Sequence, residues 1–131
     1  LTAPITAAET INSTAAPILS IGKSVSPATV SENGQLTYTF QIQNLGNTPA
    51  AATDNVVVTD NFNPILNPIT VTLNGQALTA GTDYTYDATT GAFATVPGRI
   101  TVPAATYAQN TTTGAFTIAP GSAVLTVTGT V

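Results

Sequence analysis

Between Gly34 and Asn44 large apolar side chains occupy every second position. Leu36, Tyr38, Phe40 and Ile42 alternate with Thr37, Thr39, Gln41 and Gln43. A period of two puts all the apolar groups on one face of a β-strand. Ser122 to Val131 repeats the pattern, with Leu125, Val127 and Val131 on one parity and Thr126, Thr128 and Thr130 on the other. It reads as the last strand. Leu19, Ile21, Lys23 and Val25 share a parity ahead of these, as a first strand would.

Turn signals punctuate the chain about every dozen residues: Asn33-Gly34, Asn74-Gly75, Thr90-Gly91, Pro97-Gly98, Thr113-Gly114 and Pro120-Gly121. Strands are expected over 55–59, 69–73, 76–79, 84–87, 92–96, 99–102 (extended towards Tyr107) and 115–118. Asn74-Gly75 suits a tight hairpin whose two central residues need positive φ. Helix has almost no support beyond a short turn within Ala50 to Thr53, because Pro is frequent and no apolar run has helical spacing. The expected fold is all-β, a single immunoglobulin-like sandwich of mostly antiparallel strands over 18–131.

Residues 1–17 stand apart. They contain no Gly, they precede a β-domain that is complete without them, and Leu1, Ala3, Ile5 and Ala7 share a strand parity interrupted by Pro4. Proline is best tolerated at a sheet edge. Three readings follow: a linker, an extra strand in the same subunit, or a strand donated to a neighbouring copy. In the last, Leu1, Ala3, Ile5, Ala7 and Ile11 fill the acceptor groove, and repetition of the head-to-tail contact builds a homopolymer.

Composition removes most chemistry. Only 6% of residues are charged against 43% apolar, and Cys, Met, Trp and His are absent. Without His or Cys there is no thiol nucleophile and no base poised near neutral pH to activate the many hydroxyls, so an enzyme is not expected. No cofactor is implied. Net charge is −4 with Lys23 and Arg99 as the only basic side chains, which argues against nucleic acid. No apolar run reaches the length of a membrane span. The absence of oxidisable residues and the opening at Leu1 suit a secreted, processed surface protein.

The stretches Pro17-Ile18-Leu19-Ser20-Ile21-Gly22-Lys23-Ser24-Val25-Ser26-Pro27, Gly34-Gln35-Leu36-Thr37-Tyr38-Thr39-Phe40, Asn44-Leu45-Gly46-Asn47 and Val56-Val57-Val58-Thr59-Asp60, with the closing Pro120-Gly121 and Leu125-Thr126-Val127, carry a resemblance. They resemble the conserved repeat domain of bacterial cell-surface proteins known as domain of unknown function eleven. The resemblance covers Pro17 to Val131 and implies an immunoglobulin-like module on an extracellular, cell-surface protein. Its motifs are turn and strand signals, so they speak for a scaffold rather than an activity. Such domains usually stand in tandem, whereas one copy is present here. The expected function is a structural subunit of a pilus-like surface filament; the alternative is a monomeric stalk or adhesion module of a larger surface protein.

Four side-chain features remain. The parity of Lys23 turns it towards the core, and a buried ammonium is costly unless paired or covalently neutralised. It either snorkels to the sheet margin or joins Asp60, Asp54 or Asn110 in an isopeptide bond of the kind that Gram-positive pilin domains carry. Asn12-Ser13-Thr14 and Asn110-Thr111-Thr112 are glycosylation triplets. Asp54, Asp60, Asp83 and Asp87 are the carboxylates a calcium ion would need, but no spaced Asp-x-Asp-x-Asp pattern exists, and solvated loop carboxylates are the expectation. Tyr38, Tyr84, Tyr86 and Tyr107 read as core and cross-strand packing.

Overall fold

A computed structural model describes residues 17–131, and within them the chain is all-β with antiparallel sheets. The candidate donor residues Leu1, Ala3, Ile5, Ala7 and Ile11, and the first glycosylation triplet at Asn12, lie outside the described residues. Ten strands follow in order: β1 (Leu19–Ser26), β2 (Gln35–Asn44), β3 (Thr59–Asn61), β4 (Ile69–Leu73), β5 (Gln76–Ala77), β6 (Tyr84–Asp87), β7 (Ala92–Thr95), β8 (Thr106–Gln109), β9 (Phe116–Ala119) and β10 (Gly121–Thr130). One sheet has the order β1-β2-β10-β4-β5, the second β3-β7-β6, and β8 and β9 pair only with each other.

The two strands with the strictest alternation form the centre. β2 and β10 pair in register from Gly121 opposite Asn44 to Thr130 opposite Gln35. Leu36, Tyr38, Phe40 and Ile42 are buried from β2, and Ala123, Leu125 and Val127 from β10. The second sheet closes over them with Phe62, Tyr84 and Phe93, and Phe62 stacks on Tyr38 at 4.8 Å between ring centroids. Gly121 starts β10 where the chain passes Pro103: a Cβ there would lie 1.7 Å from the Pro103 carbonyl oxygen, so no other residue fits. Asn74 (φ 52°) and Gly75 (φ 84°) both take positive φ, as the hairpin between β4 and β5 requires.

Three expectations change. The strand expected over 55–59 begins only at Thr59, because Asn55 is left-handed (φ 55°) and ends a short 3₁₀ turn at Ala52–Asp54. The strand expected over 99–102 is a single bridge between Ala50 and Val102; Ile100 and Val102 are fully buried there as core plugs, without a ladder. Tyr107 is half-exposed on β8, where it pairs across the ribbon with Ile118 instead of entering the core.

Candidate functional site

Along one side of the molecule both sheets end in a strand that, among the described residues, has a neighbour on one side only. These are β1 in the larger sheet and β3 in the smaller. A sheet edge offers a row of backbone N–H and C=O groups to any further strand. The segment Val56–Val58 leads into β3 and prolongs its edge. It is held there by Thr95 of β7, whose N–H donates to the Val58 carbonyl at 2.9 Å and whose hydroxyl accepts the Val58 N–H at 2.9 Å. Thr95 is one of two buried polar residues among the described residues, and this bond satisfies its hydroxyl where a ladder bond would otherwise stand.

Between these edges runs a shallow apolar groove. Leu19 and Ile21 form one wall, Val56, Val57 and Val58 the other, and Ile42 of β2 lies behind them. Ile21 sits opposite Ile42 in the β1–β2 register, so the wall is a direct continuation of the central sheet. The alternation of β1 thus presents aliphatic side chains to a space that no strand of the described residues fills.

Lys23 and Asp60 cross the groove further along. On both edges the next position of the same parity after the apolar wall is charged, Lys23 after Ile21 and Asp60 after Val58. Lys23 Nζ stands 2.7 Å from Asp60 Oδ2. Asp60 Oδ1 accepts the Asn61 N–H at 2.7 Å, while Oδ2 is buried and faces the Lys23 ammonium. The lysine side chain is 45% exposed, and its ammonium also lies 5.0 Å from the centre of the Tyr38 ring, within cation–π range. The inward parity of Lys23 is thereby relieved without burying its charge: the stem follows the sheet and the head reaches its margin.

Of the three partners considered for Lys23, Asp60 is the one brought to it. Asp54 instead accepts the Ala51 N–H through Oδ2 at 2.7 Å, and Asn110 belongs to the tip of the β8–β9 hairpin. Condensing Lys23 with Asp60 would expel one water and needs a proton donor beside the pair. Among the described residues no third acidic side chain joins them. The ion pair is therefore the expected state, and the intact mass should equal that of the sequence. A mass lower by one water would show instead that the amide has formed.

Asp83 and Asp87 serve local turns. Asp83 accepts the Thr79 N–H at 2.8 Å and stands 3.7 Å from Arg99 Nε. Asp87 accepts the Thr89 N–H at 2.8 Å, and this backbone hydrogen bond holds its carboxyl below the ordinary carboxylate range. Among the described residues no three acidic groups come together. Asn110 is exposed, its Oδ1 accepting from the Thr112 and Thr113 N–H groups at 2.8 and 3.1 Å.

Two residues that sequence reasoning passed over shape this site. Thr95 is one; Asn44 is the other. The Asn44 side chain is fully buried, with Oδ1 accepting from the Ile18 N–H (3.0 Å) and the Gly46 N–H (2.8 Å), and Nδ2 donating to the Thr48 carbonyl (2.8 Å). It fixes Ile18, at the start of the described fold. The only available signal was an Asn ending a strand, and that is equally the signal of a turn. Comparison with family models, with curated proteins and with solved structures finds no match to this chain.

Proposed function

We propose that this chain is the structural subunit of an extracellular, pilus-like filament, in which residues 1–16 of one copy enter the groove between β1 and Val56–Val58 of the next. The observation that carries the reading is the groove itself: two one-sided sheet edges flanking an aliphatic trough, in a chain whose remaining segment has strand parity. An extended segment can add to such an edge through its backbone and fill alternate pockets through its side chains. Leu1, Ala3, Ile5 and Ala7 have the every-second-residue spacing that such filling requires. Donation between copies is an open, heterologous contact, and it propagates as a filament unless the rotation closes a ring.

The surface location rests on the resemblance of 17–131 to bacterial cell-surface repeat domains and on a composition without Cys, Met, Trp or His. The hydroxyls have no His or Cys to activate them, so the protein is read as non-enzymatic. The test compares the full chain with residues 17–131 by negative-stain microscopy. Filaments in the first and monomers in the second are expected. A full chain that stays monomeric at millimolar concentration overturns the reading in favour of a stalk or adhesion module.

A further inference from the structure

The large apolar side chains that remain exposed are not scattered. Among the described residues they are Ile18, Val25, Leu45, Ile65, Tyr107, Phe116 and Ile118. β2 is ten residues long, roughly 33 Å from end to end, and its two ends define two poles of the sandwich. Ile18 and Leu45 lie at the Asn44 end, joined by the Leu45 N–H donating to the Ile18 carbonyl at 2.9 Å. The β8–β9 hairpin rises beside them, its Tyr107 hydroxyl donating to the Leu45 carbonyl at 2.9 Å. Val25 and Ile65 belong to the opposite pole: Val25 pairs with Tyr38, and Leu66, next to Ile65, packs on Gly129, which pairs with Leu36.

The hairpin has an unusual surface. All eight of its strand residues are exposed, and no residue from Thr106 to Ala119 is charged. Tyr107 pairs with Ile118 and Gln109 with Phe116, so three apolar side chains share one face with a single glutamine. Phe116 is 70% and Ile118 56% exposed. A two-stranded ribbon alone is marginal in water, and a contiguous apolar face of this kind marks a contact surface.

We infer that this hairpin face, together with Ile18 and Leu45, is the surface on which the adjoining copy of the chain packs in the filament. The inference rests on the donation reading, and two observations select a second copy as the occupant. The first is reach. Ile11 to Ile18 is seven residues, at most roughly 25 Å of extended chain, so a copy that takes up Leu1 to Ile11 is held close to the pole where Ile18 and the hairpin stand. The second is composition. The hairpin face is apolar and uncharged, as a surface covered in the assembled state is, and it stands at the pole where the acceptor groove also opens, since Leu19 pairs with Asn44. The donated segment supplies the strand, and the hairpin supplies a packed shoulder that fixes the angle between successive subunits.

The test uses the full chain carrying Phe116→Ser with Ile118→Thr. Tyr107 is kept because its hydroxyl anchors the hairpin. The concentration of unpolymerised chain in equilibrium with filaments should rise at least about tenfold, as loss of a buried aromatic anchor implies, with the thermal melt of the fold unchanged. An equilibrium concentration within about twofold of the parent, while deletion of 1–16 abolishes polymer, overturns the hairpin contact and leaves donation standing. Polymer that survives deletion of 1–16 overturns donation, and the inference with it. A second readout does not depend on the double variant. Phe116→Cys, in a chain with no other cysteine, should react with a maleimide at least about tenfold more slowly in filaments than in the 17–131 domain. Equal rates, or protection already present in dilute unpolymerised full chain, would contradict packing by a second copy.

Discussion

Val56→Asp in the full chain should abolish filaments while leaving the domain folded. Val56 is part-buried on a segment held by Thr95 rather than by a ladder, so the variant can turn its carboxylate to water as long as the groove is empty. Once a donated strand covers the groove, that carboxylate is stranded against Leu19 and Ile21. Burying it unpaired costs several kcal/mol, and about 3 kcal/mol already corresponds to a loss of affinity above ~100-fold. Sedimentation should therefore find the variant in the supernatant at concentrations where the parent pellets. Filaments formed at the parent's concentration would mean that the donated segment lies elsewhere. The side of the sandwich between Ile69 and Tyr86, where a wider and more polar cleft opens, is then the place to look.

Phe62→Ala should unfold most of the domain's margin of stability, by about 3–5 kcal/mol. Phe62 is 1% exposed and is the hub of the aromatic cluster, stacked on Tyr38 and tilted against Tyr86 and Phe93 at 5.9 and 5.6 Å. It joins the two sheets, since Tyr38 belongs to β2 and Phe93 to β7. Its removal leaves a cavity between layers that cannot collapse without moving both. A denaturant midpoint lowered by less than about 1 kcal/mol equivalent would show that the two sheets do not depend on this contact. Lys23→Ala, which leaves the buried Asp60 Oδ2 without its partner, should cost about 1–3 kcal/mol, more than the ~0–1 kcal/mol of a fully exposed ion pair.

How far the sequence foretold this molecule depends on the range of the forces involved. β2 and β10 were legible because apolar side chains recur at every second position and the pattern is real on both faces: apolar in, mostly Thr, Ser and Gln out, with Val124 of β10 the exception. The Asn74-Gly75 hairpin was legible because its backbone demand is local. The edge before β3 was misplaced because Val56–Val58 has strand composition, yet its hydrogen bonding is settled by Thr95, nearly forty residues away. Ile100 and Val102 were read as a strand for the same reason; their apolarity is explained by burial, and the ladder that should accompany it is absent.

The groove was not legible at all. Its walls come from residues 19–21 and 56–58, and only the face-to-face placement of two sheets brings them together. What the pattern did carry was the conflict at Lys23, an ammonium on an inward parity, and the structure resolves it at the groove margin with Asp60. The exposed face of the β8–β9 hairpin was not legible either. Tyr107, Phe116 and Ile118 remain exposed because nothing within the described residues covers them.

The central claim is that the groove between β1 and Val56–Val58 binds residues 1–16 supplied by another molecule. Its most direct measurement titrates a synthetic peptide of residues 1–16 into the separate 17–131 domain, with a scrambled peptide as control. Saturable binding with a rise in melting temperature that follows peptide concentration is the predicted result, lost in the Val56→Asp domain. A melting temperature that does not move at millimolar peptide would contradict the account.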